Sequence, residues 1–147
     1  MASVPPSPGR YVLAACLSAT LGGCAKPDLV LLPVRGKVLV KDQPIARGTV
    51  RLQPDAAKGN ATPHTPQATI DADGSYEMFT VGKRGAPPGW YRVAVIAMKD
   101  EIPYGRGPRP PVHWLAPQKY TNPNTSQLAI EVKATAPPEG YDLRLMP

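Results

Sequence analysis

The sequence predicts an all-β domain, folded as a seven-stranded antiparallel β-sandwich. Three observations carry that expectation. Apolar residues recur at every second position in short runs, each bounded by Gly, Pro, Asp or Asn. The 147 residues include 20 Pro and 13 Gly, which interrupt most windows long enough for a helix. Hydrophobic residues make up 42% of the chain and charged residues only 19%, which excludes a disordered chain and a long charged helix. The length suits one domain.

Taken in order, Val34 to Val40 alternates, with Val34, Gly36, Val38 and Val40 on one face. Lys41-Asp42-Gln43-Pro44 reads as a turn. Thr49 to Gln53 turns Val50 and Leu52 inward and Arg51 outward, and the polar stretch Asp55 to Pro66 reads as a loop. Gln67 to Ile70 is a short strand, and Asp71-Ala72-Asp73-Gly74 turns the chain, with Gly74 expected at positive φ. Tyr76 to Val81 follows, with Tyr76 and Met78 on one face. Gly85 to Gly89 breaks the pattern before Trp90 to Met98, the strongest strand signal, where Tyr91, Val93 and Val95 share a face. Leu128 to Lys133 and Tyr141 to Leu145 alternate in the same way. Lys99 to Ser126 fits least well: it contains six prolines and no convincing strand, apart from a short edge strand at Val112 to Leu115. The predicted core is Val38, Val40, Val50, Leu52, Ile70, Tyr76, Met78, Tyr91, Val93, Val95, Leu128, Ile130, Val132 and Leu143.

Residues 1–23 read as a targeting segment. Arg10 precedes the uncharged run Tyr11 to Leu21, which is shorter than the roughly 20 apolar residues a membrane span requires. The segment ends Leu21-Gly22-Gly23-Cys24, which resembles a bacterial lipobox. That resemblance implies diacylglycerol on Cys24, further acyl chains such as palmitate, and cleavage before Cys24. Residues 24–33 then form a lipidated tether and 34–147 the folded domain. The expectation is an exported protein anchored to the cell envelope, on its periplasmic or outer-membrane face, with the lipid bilayer as a partner through Cys24. Cys16 falls in the removed leader, so no free thiol remains. The formal net charge is +6, but the basic residues are scattered, and an exported chain without a recognised nucleic-acid motif is not expected to bind nucleic acid.

Four further stretches carry a second resemblance. Val34-Arg35-Gly36-Lys37-Val38 with Pro44 to Val50, Thr69 to Tyr76 around Asp73-Gly74, Pro88-Gly89-Trp90-Tyr91-Arg92-Val93, and Ala116 to Leu128 resemble successive motifs of carboxypeptidase regulatory-like domains of small bacterial lipoproteins. The resemblance implies a transthyretin-like, immunoglobulin-like Greek-key sandwich without catalytic activity or cofactor. Beside it stands a physical expectation: Tyr76 and Tyr91 bury their rings, so each hydroxyl must find a backbone partner.

Chemical motifs are sparse. Asp71-x-Asp73-Gly74 reads as a turn rather than a calcium loop, which would need more oxygen ligands. His64 and His113 are too few for zinc when no cysteine is free. There is no Gly-x-Ser-x-Gly elbow. The candidate ligand-binding residues are Tyr104, Arg106, Arg109, His113 and Trp114, where aromatic rings fall near cations in the long insert. The simpler expectation is that Trp114 plugs one end of the sandwich. The leading functional expectation is a non-catalytic binding or scaffold module for an envelope protein or polysaccharide. The rivals are a structural envelope protein acting by abundance and a degenerate hydrolase using His113 with Asp100 or Glu101.

Overall fold

The computed structural model describes Ser3, residues 28–100, Gly105 and residues 107–147. The domain is all-β. Among the described residues ten strands follow in chain order: β1 (Arg35–Val40), β2 (Gln43–Pro44), β3 (Gly48–Pro54), β4 (Gln67–Ile70), β5 (Ser75–Glu77), β6 (Phe79–Thr80), β7 (Lys83–Arg84), β8 (Gly89–Ile96), β9 (Ala129–Val132) and β10 (Leu143–Leu145). Each of the seven expected strands has a counterpart. β5 and β6 together make up the fourth. β2 and β7 are additional two-residue ladders closed by tight turns.

Hydrogen bonding runs through one curled open sheet, a half-barrel, in the order β10-β1-β5-β4-β3-β8-β9. The join lies within β1. Arg35 to Lys37 pair with β5, and Val38 to Val40 pair with β10. The β1–β10 pairing is parallel, which corrects the expectation of a wholly antiparallel arrangement. The first and last strands are brought side by side running in the same direction, and no hairpin can do that. Gly36 permits the close approach, because a Cβ there would collide with the backbone carbonyl of Tyr141.

The core fills the inside of the curl. All fourteen expected core residues lie in it: eleven are buried, and Val40, Leu128 and Ile130 pack against it partly exposed. Val34, Ile45, Ala68, Ala86, Ala97, Ala116, Tyr120, Tyr141 and Leu145 complete the core. The Tyr76 hydroxyl donates to the Tyr141 carbonyl, and the Tyr91 hydroxyl donates to the Pro87 carbonyl at 2.8 Å.

The turns follow local chemistry. Lys41 (φ 50°) and Asp42 (φ 61°) close β1–β2, and Val81 (φ 49°) and Gly82 (φ 74°) close β6–β7, both with the two left-handed residues of a type I′ turn. Gly74 sits at φ 82° as expected. Asp73 accepts from the Ser75 hydroxyl at 2.6 Å and from its amide at 3.0 Å, and these bonds hold its carboxyl below the usual range.

The described part of the long insert holds more regular structure than its prolines suggest. Lys99 N donates to His113 O at 2.8 Å and Leu115 N to Ala97 O at 2.9 Å, around a bridge between Met98 and Trp114. This is the expected edge strand, reduced to a single bridge. A 3₁₀ turn at Gln118–Thr121 then buries Tyr120.

Candidate functional site

The site is built on the outer face of the sheet. Alternation that sends Val50, Leu52, Ala68 and Ile70 inward sends Thr49, Arg51, Gln67 and Thr69 outward. The register aligns these into rows. Ile96, Thr49 and Thr69 are neighbours across β8, β3 and β4. Ala94, Arg51, Gln67 and Phe79 form the next row, across β8, β3, β4 and β6.

Two shallow depressions share Thr49 and Thr69 and together form one trough. The first, of about 510 Å³, adds Gln67, Asp71, Glu77 and Phe79. The second, of about 330 Å³, adds Arg47, Ile96, Met98 and Asp100. Phe79, 39% exposed, stands at one end. At the other, Met98 is the bridge partner of Trp114, so the two side chains leave the backbone on the same side. Trp114 is 37% exposed. It therefore stands beside Met98 at that end of the trough, with part of its ring exposed.

Charges rim the trough. Glu77 accepts from Arg35 at 2.7 Å and lies 3.8 Å from Arg84. Arg47 donates to the Lys99 carbonyl at 2.7 Å, which fixes the start of the insert. Asp100 lies 3.3 Å from His113 Nδ1. The floor therefore offers hydroxyl, amide and carboxylate groups between two exposed rings. Such a surface suits a ligand that both stacks and hydrogen-bonds, such as a sugar chain or an extended peptide.

Of the expected ligand residues, Trp114 flanks this trough. His113 is beside Asp100 but alternates away from Trp114 along the chain, and Arg109 is exposed on the insert. Cys24, Tyr104, Arg106 and Glu101 lie outside the described residues. The His113–Asp100 pair is exposed, its side chains at 65% and 68%, with Asp100 at the rim of the second depression. Among the described residues no three of His, Cys, Asp and Glu cluster as a metal-binding set.

Sequence reading missed Thr49, Gln67, Thr69 and Phe79 as site residues. Each sits alone among unremarkable neighbours, and only strand register brings them together. It also missed a polar anchor just past the end of β3. Asn60 donates to the Trp90 carbonyl at 2.8 Å, and buried Asp55 pairs with Arg92 at 3.1 Å. Arg92 in turn donates to Asn124 at 2.8 Å, so one guanidinium ties the Asp55 to Pro66 loop to the insert. No protein-family model, no curated protein and no solved structure matches the chain.

Proposed function

We propose that this chain is an envelope lipoprotein, anchored through acylated Cys24, whose domain is a non-catalytic binding or scaffold module for an envelope protein or polysaccharide. The observation that carries the binding role is the trough between Phe79 and Trp114, a polar strip with an exposed ring at each end. The lipobox-like Leu21-Gly22-Gly23-Cys24 supports the anchor. The domain is of the carboxypeptidase regulatory-like kind, its curled sheet being the two layers of a Greek-key sandwich joined through β1. The motif residues have matching physical roles, which supports that reading. Gly74 makes the turn, Tyr76 and Tyr91 bond backbone carbonyls, and in the last motif Ser126 Oγ donates to the Val93 carbonyl at 2.5 Å.

A photo-crosslinking residue placed at Gln67 or Thr69 in growing cells tests the binding role. One recurrent envelope protein or polysaccharide is expected from both positions, and none from Arg144 on β10. Adducts that do not recur, or that arise equally from Arg144, would overturn it.

A further inference from the structure

We propose that the end of the domain carrying the β6–β7 hairpin rests on an anionic bilayer, with the Val81 tip entering the headgroup region. The inference builds on the Cys24 anchor and states which way the anchored domain faces.

The first observation is a residue in the wrong place for water. Type I′ turns favour Asn-Gly or Asp-Gly, because both central residues are left-handed. Here the first is Val81, β-branched and 77% exposed. Among the described residues the other such turn uses Lys41-Asp42. Val81 thus combines backbone strain with apolar exposure, and among the described residues it is left largely uncovered. Phe79, two residues earlier, is also exposed.

The second observation is charge. Lys83 and Arg84 follow the tip, and both are exposed. Among the described residues Arg84 approaches only Glu77, whose carboxylate is already held by Arg35. An apolar tip flanked by cations complements an anionic bilayer surface.

The third observation is where the described chain begins. β1 runs antiparallel to β5, so Arg35, opposite Glu77, lies at the end toward which β5 and β6 run. Just before it, Leu32 and Ala86 exchange two hydrogen bonds of 2.9 Å each. The anchor segment therefore leaves the domain beside the hairpin, and Val30 there is 62% exposed. Cys24 precedes Leu32 by eight residues, a contour of at most about 28 Å. The Lys41-Asp42 turn and the Met98–Trp114 bridge lie at the opposite end of the strands. One valine and one phenylalanine would not hold a protein on a membrane alone. With acyl chains already embedded, the tip acts at high effective concentration, and a weak contact is enough to set orientation.

The test uses the lipoprotein purified from membranes and reconstituted into vesicles of phosphatidylcholine with phosphatidylglycerol. An environment-sensitive fluorophore is attached at Val81→Cys, or at Asp42→Cys as the far-end control. The label at position 81 should shift to the blue and be quenched by lipids brominated in their acyl chains; the label at position 42 should do neither. Adding Lys83→Glu and Arg84→Glu should return the position-81 label to aqueous emission while the protein still floats with the vesicles. Equal aqueous emission from both labels on vesicle-bound protein would overturn the docking and leave the anchor standing. The mass of the N-terminal peptide decides the anchor separately: an unmodified Cys24 would remove both.

Discussion

The Tyr76 hydroxyl is buried where β5 meets the segment leading into β10, and it donates to the Tyr141 carbonyl. Burial raises its pKa well above that of an ordinary phenol, with the Asp142 charge adding to the effect. The unfolded chain then gives up this proton near the usual value of about 10, while the folded chain retains it. The stabilisation is complete below about pH 10 and declines as pH rises further, since the native state binds the extra proton. Urea unfolding followed from pH 8 to pH 11 should show that decline. Tyr76→Phe should reduce it and should cost about 1–2 kcal/mol at neutral pH by leaving the Tyr141 carbonyl unpaired. Val81 presents the opposite case, a residue that does not serve the fold. Val81→Asn should raise the urea midpoint, by about 0.5–1 kcal/mol of stability, because Asn tolerates the left-handed backbone better. An unchanged or lower midpoint would remove the strain from the argument. The two tyrosines were legible in the sequence because a buried ring at an inward position needs a hydroxyl partner. Asp55 and Asn60 were not: polar residues in a polar loop give no sign that the Trp90 carbonyl and Arg92 will draw them inside.

Among the elements, β1 has the most demanding role, since it changes neighbours midway and joins the two parts of the sheet. Gly36 is the residue that allows it. Gly36→Ala should destabilise the domain by about 1–3 kcal/mol, because the added methyl meets backbone rather than a movable side chain. A neutral result by calorimetry would mean that the 141–142 segment yields easily. The Arg92 connection belongs to this scale too. Arg92→Ala should cost about 1–3 kcal/mol, lowered from the cost of breaking a fully buried pair because Arg92 is itself 40% exposed. It should also speed amide exchange in both the Asp55 to Pro66 loop and the insert, and an effect confined to one of them would argue against a tie. The longer strands were legible from alternation alone. β2 and β7 were not, because two-residue ladders are set by the turns that close them and carry no period of their own.

The whole molecule is a sheet whose two edges approach without pairing. β9 and β10 share no ladder among the described residues, and tyrosines bridge the gap. Tyr120 Oη accepts from Met146 N at 2.8 Å and donates to Met146 O at 3.0 Å, while Tyr141 Oη accepts from Lys133 N at 3.3 Å. Tyr120→Phe should release the end of β10, seen as faster exchange of the Met146 amide with only about 1 kcal/mol lost overall. No change in that exchange would mean the seam is held by packing alone. At this scale the described domain also has two ends, one with the start of β1, Val81, Lys83 and Arg84, the other with Met98 and Trp114, and the trough runs between them. The sequence by itself determined that the domain is all-β, where its longer strands and turns lie, and fourteen of the side chains that build the core. Those follow from a two-residue period and from the backbone preferences of Gly, Asp and Pro, which act over a few neighbours. Tertiary structure alone decided that the sheet is continuous through β1, that β10 lies parallel to it, and that Thr49, Gln67, Thr69 and Phe79 form one surface with Trp114 at its end. Those depend on which strands become neighbours, a long-range choice made by packing and close backbone approach, and alternation within a strand is blind to it.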